Sequence, residues 1–144
     1  MIIGRDAFIK NQPQIGDKYY TITNGIIEKY IWNASPEDIG RYRIGNCYNS
    51  EEDAKYNLNR QITLTRLKNF ANANNSEIDW SSKEKKYFLT FKKNLNCIEI
   101  VESDYAVYGD LVFSSYEIAQ TAISEIGAEN IKKYYFSLEW YYEI

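Results

Sequence analysis

The sequence predicts an α+β fold of antiparallel hairpins followed by a helix, repeated twice, with the helices packed on the sheet or sheets. Three observations carry this reading. Asn24-Gly25 separates two runs of strand formers, a capped amphipathic segment follows each strand region, and the two regions align with each other. At 144 residues the chain has the size of a single domain, 1–144. Within it we read two similar ββ(β)α halves, 17–75 and 84–136, an arm, 1–16, and a tail, 137–144. Each half alone would bury too little surface, so the halves are expected to share one core.

The arm carries Gly4, Pro13 and Gly16 with no clear period. Lys18-Tyr19-Tyr20-Thr21-Ile22-Thr23 is strand-forming and runs into Asn24-Gly25. A type I′ turn needs φ > 0 at both central residues, which this dipeptide supplies. The partner strand is Ile26 to Trp32. A polar loop with Pro36 and Gly40 follows, then a third strand over Arg43 to Tyr48. Asn49 with Glu52, or Ser50 with Asp53, caps a long helix running to about Ala73 and stopped by Asn74-Asn75. Ala54, Leu58 and Ile62, then Leu67, Phe70 and Ala71, mark its buried face.

The second half repeats the plan. Lys86 to Phe91 and Cys97 to Val101 are strands joined by a polar turn, and Leu111 to Phe113 forms a third. Ser114 with Glu117 caps a helix whose inner face is Ile118, Ala119, Ala122, Ile123 and Ile126, and Gly127 stops it. Tyr48 to Ala54 aligns with Phe113 to Ala119 at an offset of 65, and the first strands align at 68. The expected core is Tyr20, Ile22, Ile27, Ala54, Leu58, Ile62, Leu67, Phe88, Ile98, Ile100, Phe113, Ala119 and Ile123.

Composition narrows function more than motifs do. The chain has no histidine, which removes the usual general base, the Ser-His and Cys-His pairs and the commonest zinc ligand. We therefore expect no enzyme, no catalytic residues, no metal site and no cofactor. A net charge of −3 disfavours duplex DNA as a ligand, since phosphate binding leaves a basic footprint. No apolar run approaches membrane-spanning length, no signal-peptide pattern opens the chain, and Cys47 and Cys97 read as reduced thiols. The expected location is cytoplasmic.

Several segments carry a resemblance. They are Gly16 to Tyr20, Arg41 to Tyr48, Arg66 to Ala71 leading through Asn74-Asn75 to Ile78-Asp79-Trp80, Leu111 to Ser115, and Ala122 to Gly127 running into Ile131 to Phe136. Over residues 16 to 136 the chain resembles small proteins encoded by phages and prophages of low-GC Gram-positive bacteria. Most of these have no assigned function, so no catalytic residue carries over, and the arm and tail depart from the group. The resemblance implies an accessory protein in the bacterial host cell that acts by binding, as an anti-CRISPR-like inhibitor of a host defence protein.

Candidate contact residues follow from chemistry. Tyr134, Tyr135, Trp140, Tyr141 and Tyr142 form an aromatic cluster suited to a protein partner. An alternative is a sponge for a small nucleotide immune signal, with Arg41, Arg43, Lys86 and Tyr87 as the nearest materials. Lys83, Lys85, Lys86, Lys92 and Lys93 with Tyr87 and Phe91 have the composition of a single-stranded nucleic-acid module, or of a hairpin edge guarded by lysine. Glu99, Glu102 and Asp104 read as solvated strand carboxylates, and a metal there would need Asp79 or Asp110 to converge on them. The apolar arm and tail also fit a homodimer contact.

Overall fold

The computed structural model describes residues 11–78, 81, 84–104 and 111–138. The fold is α+β, with antiparallel hairpins each followed by a helix. Strands β1 (Lys18–Thr23) and β2 (Ile26–Ile31) form one antiparallel sheet, and β3 (Lys86–Lys92) and β4 (Cys97–Ser103) form another. Helices α1 (Pro36–Arg43), α2 (Glu51–Asn74) and α3 (Tyr116–Ile126) follow their hairpins, and a short turn α4 (Ala128–Asn130) leads into a π-helix over Ile131–Tyr135. Among the described residues no helix is long and apolar enough to cross a membrane.

By internal packing the chain divides into two compact units, Arg5–Gln61 and Met1–Gly4 with Ile62–Ile144. The division falls within α2 rather than in the segment after it. We call these the N-terminal and C-terminal units. Each has a buried cluster: Tyr19, Trp32 and Cys47 in the first, and Leu67, Ala71, Leu89, Phe113, Ala119, Ala122, Ile126 and Ile131 in the second.

Local chemistry explains the elements. Asn24 and Gly25 take φ of 52° and 77°, the pair of left-handed residues a type I′ turn requires, and Thr23 stands opposite Ile26. In each unit the first strand gains one more bridge just before a helix. Tyr20 exchanges backbone bonds of 2.9 and 2.8 Å with Tyr48, and Tyr87 exchanges bonds of 3.0 and 2.7 Å with Phe113. The helix caps repeat too. Ser50 Oγ accepts from Asp53 N and Ser115 Oγ accepts from Ile118 N, both at 3.1 Å. Ala54 and Ala119, four residues beyond each cap, are both fully buried.

Several expectations are corrected. The loop at Pro36 and Gly40 is α1, because Ser35 and Asp38 form a reciprocal capping box and Pro36 presets φ in the first turn. The third strands shrink to single bridges at Tyr48 and Phe113; in the first half α1 occupies the chain as far as Arg43. Ser115, not Ser114, caps α3, and Ser114 Oγ instead accepts from Ser76 N at 3.0 Å. In β1 the buried positions are Tyr19 and Thr21, so Tyr20 and Ile22 are only half-buried. Ile27, Leu58, Phe88, Ile98, Ile100 and Ile123 are also half-buried. Ile62 is 48% exposed, off the line of Thr63, Leu67 and Ala71. Ala54, Leu67, Phe113 and Ala119 are core.

Candidate functional site

The densest polar cluster lies in the N-terminal unit. Asp38 enters the first turn of α1 beneath β1, with only 3% of its surface exposed. Its carboxylate accepts from the Tyr19 hydroxyl, from Asn33 N at 2.8 Å and from Ser35 N at 3.3 Å. Arg41 lies one turn on, 3.5 Å from the same carboxylate, and donates to the Tyr19 hydroxyl at 2.9 Å. Its guanidinium stacks 4.0 Å from the Tyr30 ring centroid, and the Tyr30 hydroxyl donates to Glu28. Tyr19 packs edge-on to Trp32, which packs edge-on to Tyr42.

The electrostatics suit a structural clasp. Burial, then the Asp38 hydrogen bond, pushes the Tyr19 phenol up to about 12, so it stays neutral. Burial alone would raise Asp38, but the bonds from Tyr19, Asn33 and Ser35 outweigh it and hold the carboxyl below its ordinary value. Burial pushes the Cys47 thiol up to about 11, which leaves almost no thiolate near neutral pH. The arrangement fastens α1 to the hairpin and holds Arg41 in place.

The same hairpin presents apolar surface and a strand edge that no other described strand pairs with. Ile26 is 62% and Ile31 60% exposed at the two ends of β2, and Ile44, just after α1, is 78% exposed. Tyr20 spends its N–H and C=O on Tyr48, so its pair with Lys29 is not a hydrogen-bonded one. Alternation then points the backbone groups of Ile27, Lys29 and Ile31 away from β1. Among the described residues no other backbone group pairs with them. Lys29 is exposed, with its ammonium 6.0 Å from the Tyr20 ring centroid.

The residues singled out from sequence distribute as follows. Tyr135 packs against the C-terminal unit's core and lies 4.8 Å, edge-on, from Phe136, which itself meets Phe91. Tyr134 is half-buried, with Lys133 Nζ 5.5 Å from its ring. Trp140, Tyr141 and Tyr142 lie outside the described residues, as does residue 83 of the lysine group. Of the tail, Ser137 and Leu138 are buried.

Arg41 and Arg43 belong to the N-terminal unit, the first held in the clasp and the second exposed. Lys86 and Tyr87 belong to the C-terminal unit. Lys86 is 3% exposed and donates to the Glu84 carbonyl at 2.9 Å, while Tyr87 bridges to Phe113 and packs against the core. A cavity lined by Glu77, Ile78, Glu84, Lys85, Lys86 and Ser114 holds about 10 Å³, the space of one water rather than of a nucleotide.

Of the candidate carboxylates, Glu102 pairs with Lys85 at 3.2 Å and Glu99 with Lys92 at 3.5 Å. Asp79 and Asp110 lie outside the described residues. Both thiols, Cys47 and Cys97, are free. The clasp escaped the sequence reading, although Ser35-Pro36-Glu37-Asp38 carries a full helix-start signal. The β2 edge escaped it too, because which groups of a strand go unpaired depends on the third segment at Tyr48.

Comparison with protein-family models, with curated proteins and with solved structures gives no match to this chain.

Proposed function

We propose that this chain acts by stoichiometric binding to another protein, as a phage-encoded accessory protein directed at a defence protein in the host cytoplasm. The phage setting comes from the resemblance of residues 16 to 136 and from nothing else. The binding reading is supported by one observation above the others. Around the first hairpin the chain displays Ile15, Ile26, Ile31 and Ile44 at 60–78% exposure, while polar Asp38 and Thr21 are buried. Large apolar side chains this exposed are unfavourable in water unless something covers them. The lack of histidine in the sequence and the neutral Tyr19 and Cys47 side chains point the same way.

The test is affinity capture with the immobilised full chain from lysates of several Gram-positive hosts. The reading requires a stoichiometric protein partner whose retention falls when Ile31→Lys and Ile44→Lys are introduced together. Failure to recover any such partner across the hosts would overturn it.

A further inference from the structure

We infer that the outer edge of β2 is a pairing site for an extended segment of the partner protein, one carrying an acidic residue between two apolar residues at alternate positions. This rests on the binding reading above and names the surface and the chemistry. The first support is backbone geometry. Ile27, Lys29 and Ile31 turn their N–H and C=O groups outward, as deduced from the bridge between Tyr20 and Tyr48. An added strand would bond to those groups and set its side chains opposite the same residues.

The second support is the pattern of those side chains. Ile27, Lys29 and Ile31 share one face in the order apolar, basic, apolar. A strand that is apolar, acidic, apolar at the matching positions satisfies all three cross-strand pairs. Lysine on an edge also guards against unwanted pairing. Protection accounts for Lys29 but not for an isoleucine that is 60% exposed two residues away.

The third support weighs against a second copy as the occupant. Self-pairing of β2 about a two-fold axis allows two registers that overlap most of the strand. One sets Lys29 against Lys29 and the other sets Glu28 against Glu28. Like charges directly opposite are destabilising. The edge therefore favours a foreign strand over its own.

The experiment titrates ¹⁵N-labelled full chain with two peptides, acetyl-TVTETVT-amide and acetyl-TVTKTVT-amide. The glutamate peptide is expected to bind about five-fold more tightly, the difference between opposite and like charges across one strand pair. The largest amide shifts should fall at Ile27, Lys29 and Ile31. In Lys29→Glu, an exchange at an exposed position, the preference should reverse. Equal binding of both peptides, or shifts centred elsewhere, would overturn the proposal. So would a captured protein partner that binds wild type and Lys29→Glu alike, and that outcome would leave the binding reading standing.

Discussion

Replacing Asp38 by alanine removes the keystone of the N-terminal unit. Four groups lose a partner at once. The Tyr19 hydroxyl, on a fully buried ring, keeps the Arg41 bond it accepts but has nowhere to donate. An orphaned buried donor costs about 1–3 kcal/mol. Asn33 N and Ser35 N lose the acceptor that closes the capping box, worth about 1 kcal/mol because both bonds are only partly buried. Arg41 is left beside a vacated site but keeps partial contact with solvent, so its share is below about 1 kcal/mol. In all, Asp38→Ala should cost about 3 kcal/mol, a large part of a typical domain's stability.

The assay is urea unfolding followed by Trp32 fluorescence in a background of Trp80→Phe and Trp140→Phe, since Trp32 packs on Tyr19. Tyr19→Phe should cost less, and once it is present Asp38→Ala should cost at least about 1 kcal/mol less than in wild type. Additive losses, or a total below about 1 kcal/mol for Asp38→Ala, would refute the clasp.

Three further outcomes follow from the same structure. Thr21 is fully buried and its hydroxyl has no hydrogen-bond partner among the described residues, so Thr21→Val should raise the urea midpoint, by about 1 kcal/mol of stability. Ser115→Ala should destabilise the C-terminal unit by about 1 kcal/mol and Ser114→Ala by less, read as a difference in thermal midpoint. The Tyr19 phenol is raised in the fold, so its contribution is whole below its ordinary value of 10 and is lost as pH climbs toward about 12; Asp38 is lowered, so its contribution is whole above 3.8 and is lost as pH falls through its folded value. Stability against pH should therefore decline at both ends in wild type, and the alkaline decline should shrink in Tyr19→Phe.

The hairpins were legible in the sequence because their signals are local. Asn24-Gly25 fixes a turn by backbone sterics, and the strands around it fall where their composition places them. The offset of 65 was legible for the same reason in its aromatic and its small residue, which take the same roles at Tyr48 and Ala54 as at Phe113 and Ala119, while the second cap falls at Ser115, one residue past Ser114.

What was not legible depends on tertiary contacts. Tyr19-Tyr20 and Thr21-Ile22 offer each face of β1 one aromatic and one β-branched residue, so the burial of Tyr19 was decided by Asp38 and Trp32. The stripe Ala54, Leu58, Ile62 failed because α2 does not bury one face throughout. Ala54 and Leu67 lie roughly 140° apart around the helix at 3.6 residues per turn, and both are fully buried. Lys86 reads as a solvated charge in a lysine-rich stretch, yet its chain is buried and its ammonium meets the Glu84 carbonyl.

The account rests on an unsatisfied edge in β2, and amide hydrogen exchange along that strand tests it directly. In the free full chain, Glu28 and Tyr30 should be protected by β1, while Ile27, Lys29 and Ile31 exchange quickly. In complex with a captured partner, protection should extend to those three amides. Protection of Ile27, Lys29 and Ile31 in the free chain, or its absence in the complex, would contradict the account.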